Sequence, residues 1–360
     1  MDYHDLVWLV LVGFQCYFGP GIQLPGSIFL STIRFYPLLI SHFVGNQLLY
    51  LNKIFALKNQ LFSSHLKLHF VVLIYGFTAI LGKLISLPAA QLVWYRMLIA
   101  VVAFYLFIRW KKTDLSINRQ QFFTLFGIGI IVAIHWITFF GAIKISNVSV
   151  TLGCLATATL FTSLLEPFFF RKRINAVEVI VGLLIIMGLY LIFRFETRYS
   201  LGITVALISA FLAGLFTVIN KKMVVNQKAS VISFYEMLGG LTGITIYLLF
   251  SGSDQSPLVL PSPMDFVYLL ILGTICTAYA FAVQVDVMKH LSAYIVALTI
   301  NLEPVYGIVM AYFIFGETEH MTGGFYIGTA IILVSVLGFP VYHYYLKRRQ
   351  KGNTSEIEKV

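Results

Sequence analysis

The chain consists largely of long apolar runs separated by short polar connections. From residue 69 onward, ten runs of about the length that crosses a bilayer follow one another. Short connections make consecutive helices antiparallel neighbours. The pattern therefore predicts an all-α polytopic membrane protein with a core of ten transmembrane helices. The runs lie near 69–87, 91–109, 122–143, 147–170, 176–193, 200–220, 230–250, 265–285, 291–315 and 324–345.

Residues 1–66 fit this pattern less well. The stretch LVWLVLVGFQCYF (6–18) is too short to span a bilayer, and IFLSTIRFYPLLISHFVG (28–45) is interrupted by an arginine and a proline. The stretch LNKIFALKNQLF (51–62) has the character of an amphipathic interfacial helix. We interpret residues 1–66 as an apolar N-terminal extension outside the ten-helix core, with an additional span as the alternative.

Composition supports lipid as the solvent of most of the chain. Hydrophobic residues make up 59% of it and charged residues only 11%, against about 25% charged residues in a typical soluble domain. A globule with so few charges cannot cover itself with polar groups, and a bilayer removes that need.

The net charge of +10 does not indicate nucleic-acid binding, because the basic residues form small clusters between apolar runs and no stripe or face. If the end before the first run is cytoplasmic, 17 basic residues fall in cytoplasmic segments. Only Lys83, Lys144, Arg194 and Arg198 then fall outside. This bias predicts that both ends of the ten-helix core are cytoplasmic.

The ten runs contain an internal repeat. WYRML (94–98) matches FYEML (234–238) at an aromatic residue, Tyr, Met and Leu, 140 residues apart. AIKISNVSV (142–150) resembles VMKHLSAYI (287–295) at a similar offset. A constant offset of roughly 140 residues indicates a duplicated five-helix unit. Because five is odd, the two units enter the membrane from opposite sides, and inverted repeats of this kind are typical of secondary transporters.

At these motifs the chain resembles the drug/metabolite transporter superfamily, in particular a protein with two EamA-like domains. The resemblance is carried by NVSVTLGCLATATLFTSLLEP followed by a basic turn, and by LSAYIVALTINLEPVYGIVMAYFIFGE. The first half departs from the family pattern, since Arg171 and Lys172 stand near where a Gly-Glu turn is expected. The resemblance implies a first repeat at 67–195, a second at 196–346 and a basic or polar cytoplasmic tail at 347–360.

Polar residues within the runs are the candidates for a site, because a charge at mid-bilayer costs about 2.5–3.5 kcal/mol on insertion scales. We expect a substrate cavity or coupling site to draw on the charged, aromatic and polar residues found at membrane depth. They are Arg96, Glu236, Glu303, His135, Trp136, Tyr95, Tyr235, Asn301, Tyr279 and Lys83.

Several of these residues have a structural alternative. Glu303 precedes Pro304, so it is either a proton- or substrate-linked carboxylate beside a broken helix or part of a structural kink. His135 is either a cavity residue or a histidine that bonds a neighbouring helix. Lys83 can simply extend its amine to the interface. Glu166 near the basic turn is interpreted as an interfacial carboxylate.

Arg96 and Glu236 occupy equivalent positions of the two repeats with opposite charge. Their positions along the spans leave about 13 Å of depth between them, whereas a salt bridge needs about 4 Å. We therefore predict that they do not pair and instead lie at the two mouths of one cavity, with Arg96 toward the outside.

The function that these patterns favour is secondary transport. We expect a transporter of a small polar or amphipathic metabolite, amino-acid-like or drug-like, that acts as an exporter by alternating access. A membrane-embedded enzyme or a non-transporting receptor or assembly subunit is the alternative. The sequence has no G-x-S-x-G, P-loop, dinucleotide-binding or HExxH motif, so we expect no enzymatic activity, catalytic residue, metal site or cofactor.

The expected partners are a small-molecule substrate, the lipid bilayer and, as a candidate, protons. Because both repeats lie in one chain, we expect a functional monomer. The resemblance places the protein in a bacterial cytoplasmic membrane.

Overall fold

The computed structural model describes residues 59–171, 176–224, 227–250, 258–300, 302–335 and 338. The chain divides into two compact units, residues 1–60 and 61–360, and the second contains almost all of the described residues. Most of the predicted N-terminal extension, residues 1–66, lies outside the described residues.

All regular structure in the described residues is helical. In the first half of the core, the helices are α1 (Asn59–Leu84), α2 (Ala89–Trp110), α3 (Arg119–Ile145), α4 (Val148–Leu155), α5 (Ala158–Phe170) and α6 (Ala176–Phe195). In the second half, they are α7 (Ser200–Met223), α8 (Ala229–Phe250), α9 (Pro263–Gly273), α10 (Ala280–Val287), α11 (Ala293–Ile300), α12 (Glu303–Phe315) and α13 (Gly323–Ser335).

Seven of the described helical segments are long and apolar enough to cross a membrane, which establishes a multi-pass membrane protein in keeping with the predicted class. One of them, Val148–Phe170, comprises α4 and α5, and another, Pro263–Val287, comprises α9 and α10. Helical segments Ile180–Phe195 and Gly323–Ser335 are apolar but shorter. Within the described ranges, seven full-length spans and two shorter apolar helices are present, and the predicted number of ten stays a prediction.

Three runs predicted as continuous helices are irregular. Run 147–170 is interrupted at Ala156 and Thr157, where Thr157 Oγ1 donates to the carbonyl of Cys154 at 2.7 Å. Run 291–315 contains α11 and α12, and Pro304 stands in the first turn of α12, where its missing N–H costs nothing. Run 265–285 contains a π-helical turn, Thr274–Tyr279.

Within the described residues the first helix extends from Asn59, so it includes ten residues before the predicted start at residue 69. The added turns contain neither glycine nor proline, and most of their side chains are exposed. Apolar periodicity marks only where a helix becomes buried, so it misses an exposed extension of the same helix.

The described connections between helices contact one another in two sets. In the first set, Lys83 Nζ pairs with Glu319 Oε1 at 2.7 Å, and Ser86 Oγ donates to Asp265 Oδ2 at 2.6 Å. In the same set, the backbone N–H of Thr322 donates to Glu196 Oε1 at 2.8 Å. If consecutive helices alternate in direction, all of these residues belong to segments at the same end of the bundle.

The second set joins the connections predicted for the other end. Tyr235 donates its hydroxyl to the carbonyl of Leu115 at 2.8 Å, and Lys221 Nζ donates to the carbonyls of Met288 and Leu291. This sorting is what antiparallel consecutive helices produce.

Glycines bring equivalent helices of the two halves together. A Cβ atom at Gly188 would lie 2.7 Å from the carbonyl oxygen of Gly328, and one at Gly328 would lie 2.6 Å from that of Gly188. Helices α6 and α13 therefore cross with their backbones in contact, as small residues permit in membranes. Because each glycine approaches the other in the same way, the contact has the form of a two-fold relation.

The same reciprocity occurs around the second helix of each half. Gly129 of α3 packs on the backbone of Glu236, and a Cβ atom at this position would lie 2.0 Å from the Glu236 carbonyl oxygen. Gly273 of α9 packs on Ile99 and on the backbone of Arg96, where the corresponding distance to the Arg96 carbonyl oxygen is 3.2 Å. The two glycines are about 140 residues apart in the sequence, and so are Arg96 and Glu236, which is the offset of the sequence repeat.

Candidate functional site

The interior of the bundle contains a cavity where helices of both halves meet. Its walls carry Arg96, Glu303, His135, Gln284 and several aromatic rings, including Trp136 and Phe281. The space open to the centres of water-sized molecules is about 70 Å³, room for roughly five waters at 10–15 Å³ each. The cavity is therefore narrow, mostly apolar, and supplied with a few polar groups, as small-molecule sites usually are.

Arg96 is the charged centre of this cavity. It is buried, its Nε donates to Thr277 Oγ1 at 2.6 Å, and its guanidinium carbon lies 3.7 Å from the centroid of the Trp136 ring. The Nη1 atom is buried and has no hydrogen-bond partner. Stacking on a ring suits the flat guanidinium, but a buried donor without an acceptor is costly. The site thus holds a cation with unused hydrogen-bonding capacity.

The π-helical turn positions the groups that hold Arg96. Thr277 Oγ1, which accepts from Arg96, itself donates to the carbonyl of Leu272 at 2.6 Å, five residues earlier. The carbonyl of Cys276 lies 3.5 Å from Arg96 Nη2. A π turn displaces one residue from the regular ladder, and such turns often occur at functional sites.

Glu303 lies in the same cavity as Arg96, at the first position of α12. The breaks in both halves border the cavity, since its lining includes Ala156 and Ala158 on one side and Ile300 and Pro304 on the other. Glu303 lies beside the interruption between α11 and α12, which fits both the functional carboxylate and the structural kink considered from the sequence. Discontinuous helices of this kind often form transporter binding sites.

His135 has both of the roles considered from the sequence. Its ring lines the cavity and lies 5.4 Å from the ring of Phe216. Its Nδ1 is also 2.8 Å from Ser209 Oγ on α7, so it bonds a neighbouring helix. Trp136 lines the cavity as well, 6.0 Å from Phe281.

Glu236 is not among the residues that line this cavity. It is fully buried between helices, and Asn220 Nδ2 donates to its Oε2 at 3.4 Å. Arg96 and Glu236 form no ion pair among the described residues. The structure therefore places Arg96 in the cavity and Glu236 in the packed seam between α3 and α8.

The remaining sequence candidates lie elsewhere. Tyr95 donates its hydroxyl to the carbonyl of Val259 at 3.1 Å, and Tyr235 bonds a connection at the other end of the bundle. Tyr279 is half exposed beside Phe70, and Lys83 pairs with Glu319. Asn301 lies outside the described residues.

Sequence reasoning missed several polar partners. Tyr75 donates its hydroxyl to Gln284 Oε1 across the cavity wall. Glu319 is buried and accepts the backbone N–H groups of Val148 and Ser149, the start of α4. Its position in the short turn after α12 makes it look like an exposed loop acid. Asn220, near the end of its run, has no motif that would reveal it.

Among the described residues no group of three or more His, Cys, Asp or Glu side chains is placed to hold a metal ion. The arrangement around Arg96 offers charge, hydrogen bonds and aromatic walls. It is suited to recognising an anionic or zwitterionic small molecule.

Comparison with known proteins identifies the family of the chain. A sequence model of the EamA-like transporter family matches residues 63–194 and again residues 200–339. An uncharacterized transporter of Clostridium kluyveri is 22% identical over 261 residues, 70% of this chain and 82% of its own length. The uncharacterized transporter YxxF of Bacillus subtilis is 22% identical over 256 residues, 68% of this chain and 79% of its own.

A solved crystal structure aligns with a TM-score of 0.58 and 16% identity, covering 76% of this chain and 97% of its own. At that identity the similarity concerns the fold alone.

Proposed function

The chain belongs to the EamA-like transporter family, and we propose that it exports a small carboxylate-bearing, amphipathic metabolite through the cavity around Arg96. Transport then proceeds by alternating access, in which the two halves rock about a site near the midplane. The class of substrate is amino-acid-like or drug-like.

One observation carries the choice of substrate class. Arg96 has a buried Nη1 donor without a partner, on the wall of a cavity otherwise lined mainly by aromatic and apolar groups. A guanidinium binds a carboxylate through two parallel hydrogen bonds. The neighbouring rings, including Trp136 and Phe281, then accept an apolar moiety, and Glu303 faces a cationic one.

The proposed architecture is ten transmembrane helices in two inverted five-helix repeats, residues 67–195 and 196–346. Residues 1–66 form an extension, and 347–360 form a cytoplasmic tail. Gly188 and Gly328 contact each other reciprocally, and Gly129 and Gly273 pack in matching ways on the helices of Glu236 and Arg96. Both observations support a two-fold relation between the repeats. The surplus of basic residues on one side supports cytoplasmic ends and a cell-membrane location. The functional unit is a monomer.

Proton coupling through Glu236 or Glu303 is part of the proposal. Both carboxylates are buried at membrane depth, Glu236 completely and Glu303 almost completely. Intramembrane carboxylates are common elements of proton relays. A pH gradient across proteoliposomes should therefore change the rate of metabolite efflux, and equal rates with and without the gradient contradict the coupling.

Metabolite profiling of cells and medium tests the transport proposal. Cells producing the wild-type chain should accumulate at least one small carboxylate-bearing metabolite in the medium, compared with cells producing the Arg96→Gln variant. The matched control is Arg109→Gln, because Arg109 is exposed at the end of the same helix. Identical profiles for wild type and Arg96→Gln contradict the proposal.

A receptor that binds a metabolite without moving it is the second candidate, favoured only by the narrowness of the cavity. Binding by the purified protein, combined with no flux through proteoliposomes, would establish it.

A further inference from the structure

A second polar site, separate from the cavity, lies between α7 and α8. We call it the carboxyl cluster, and it consists of Glu236, Asn220 and Ser233, each with no exposed surface. Each has one oxygen without a hydrogen-bond partner: Glu236 Oε1, Asn220 Oδ1 and Ser233 Oγ. Six such buried polar atoms occur in the described part of the chain, and half of them belong to this cluster.

The hydrogen bond inside the cluster is weak. Asn220 Nδ2 donates to Glu236 Oε2 at 3.4 Å, near the limit of a useful hydrogen bond. Ser233 stands three residues before Glu236 on α8, so the two side chains share one face of the helix. Three buried oxygens without partners, two of them on one face of α8 and the third on Asn220, which bonds Glu236, indicate that the cluster binds something that supplies a proton or positive charge.

No charged group of the described helices packed around α8 compensates Glu236. Arg96 bonds Thr277, His135 bonds Ser209, and Lys144 bonds the carbonyl of Ile85. The other charged groups of these helices either bond elsewhere or are exposed: Lys221 bonds Met288 and Leu291, Asp286 pairs with Lys289, and Arg109, Arg119 and Lys222 are exposed.

An ionised carboxylate in this position would be buried with a single neutral donor, which costs several kcal/mol. A protonated carboxyl avoids that cost, and its O–H can donate to the amide oxygen of Asn220 once the amide is turned, because the two ends of an amide are nearly equivalent in shape. We propose that Glu236 is the proton-binding site of the transport cycle. In this conformation Glu236 carries the proton, and Glu236 releases the proton when the carboxyl cluster opens to water.

Helix packing connects this proton to the conformational change. The carbonyl of Glu236 lies against Gly129, and Gly239, one turn later, lies against the backbone of Phe126. A neutral carboxyl allows this seam between α3 and α8 to stay closed. An ionised one requires water, and therefore favours an open seam. In each cycle one O–H bond of Glu236 forms with a proton taken from water on one side and breaks toward the other.

Glu303 has a different role. It lines the cavity together with the cation of Arg96, whereas no charged group of the described helices around α8 compensates Glu236. The inference rests on the proposed transport function, because a proton site in the seam couples to transport only if the halves move.

Proton binding is measured without any metabolite. Proteoliposomes of the full chain are adsorbed on a solid-supported membrane and exposed to acid pulses, and the displaced charge is recorded. Wild type and the control Glu317→Gln, an exposed carboxylate, should give a signal. Glu236→Asp should keep the signal with a shifted pH midpoint, and Glu236→Gln should reduce it at least tenfold.

A full signal in Glu236→Gln overturns the inference, as does loss of the signal in Glu303→Gln alone. Sodium pulses at constant pH should displace no charge, and a sodium signal that disappears in Glu236→Gln also overturns it. If Glu236→Gln does not fold, infrared difference spectra of wild type and Ser233→Ala replace it. The carbonyl band of a protonated carboxyl should shift in Ser233→Ala, and an unchanged band contradicts the inference.

The outcome is separable from that of the proposed function. A chain that binds protons at Glu236 but moves no metabolite contradicts the transport proposal and supports the site. A chain that exports a metabolite yet keeps the full proton signal in Glu236→Gln contradicts only the inference.

Discussion

At the scale of single residues, Arg96 shows how far sequence reasoning reaches. A lone arginine inside an apolar run predicts a functional charge at membrane depth, and the structure places it on the wall of a cavity. The sequence does not predict its partners, Thr277 and Trp136, because the helices are apolar all round and carry no stripe that says which face points inward. Glu236 is equally conspicuous in the sequence, yet it does not line the cavity. The sequence could not predict this difference, because it does not show which face of the helix points inward.

The geometry of Arg96 predicts that its charge alone is not sufficient for substrate binding. Arg96→Lys keeps the charge but loses the planar fork and the stacking on Trp136. We expect the affinity for the exported metabolite to fall by about tenfold or more, which corresponds to about 1.4 kcal/mol or more. Isothermal titration of the purified protein measures this. Arg109→Lys is the matched control, and an unchanged affinity in Arg96→Lys argues against direct contact with the substrate.

At the scale of helices, packing through glycine predicts a sharp contrast between two neighbouring positions. A Cβ at Gly129 would meet the Glu236 carbonyl oxygen at 2.0 Å, whereas a Cβ at Gly127 meets nothing within 4 Å. Gly129→Ala should therefore destabilise the protein by about 1–3 kcal/mol or prevent folding, and Gly127→Ala should be neutral. Thermal unfolding in detergent measures both. Equal midpoints for the two variants contradict the described packing.

A second prediction concerns the ion pair between Lys83 of α1 and Glu319 in the turn after α12. Glu319 is completely buried, pairs with Lys83 and accepts two N–H groups at the start of α4. Removing one partner of a buried pair costs about 3–5 kcal/mol, and because Lys83 is partly exposed we expect Lys83→Met to cost less than Glu319→Ala. The control is Lys289→Met, which breaks a pair with both side chains exposed by about a third or more and should cost at most about 1 kcal/mol.

Unfolding midpoints of these three variants test the ranking. A Lys289→Met variant as unstable as Glu319→Ala contradicts it. The sequence predicts Lys83 at membrane depth but not this pairing, since Glu319 follows it by more than 200 residues and only the fold brings the two together.

At the scale of the whole molecule, much of the architecture is predictable from the sequence. Long apolar runs and the repeat of WYRML as FYEML predict a helical membrane protein built of two related halves, and the family match over both halves confirms that the chain is a transporter-family protein. Breaks at Thr157 and before Glu303 are less predictable. An apolar run looks the same whether its helix is continuous or interrupted, because both forms are buried.

The proposed inverted topology predicts which connections face which side of the membrane. With Cys16 replaced by Ser, Thr318→Cys should react with an impermeant maleimide in intact cells. Ser116→Cys should react only after permeabilisation, and both side chains are exposed. The buried Cys154 and Cys276 give little background. Labelling of both positions from the same side contradicts the alternation of helices.

Efflux from proteoliposomes tests the central claim most directly. Vesicles containing the purified full chain are loaded with a mixture of small carboxylate-bearing metabolites, and mass spectrometry follows what leaves. At least one compound should leave wild-type vesicles faster than protein-free vesicles, and Arg96→Gln should slow it at least tenfold. If no compound leaves faster than from protein-free vesicles, or if Arg96→Gln transports as fast as wild type, transport through the Arg96 cavity is contradicted.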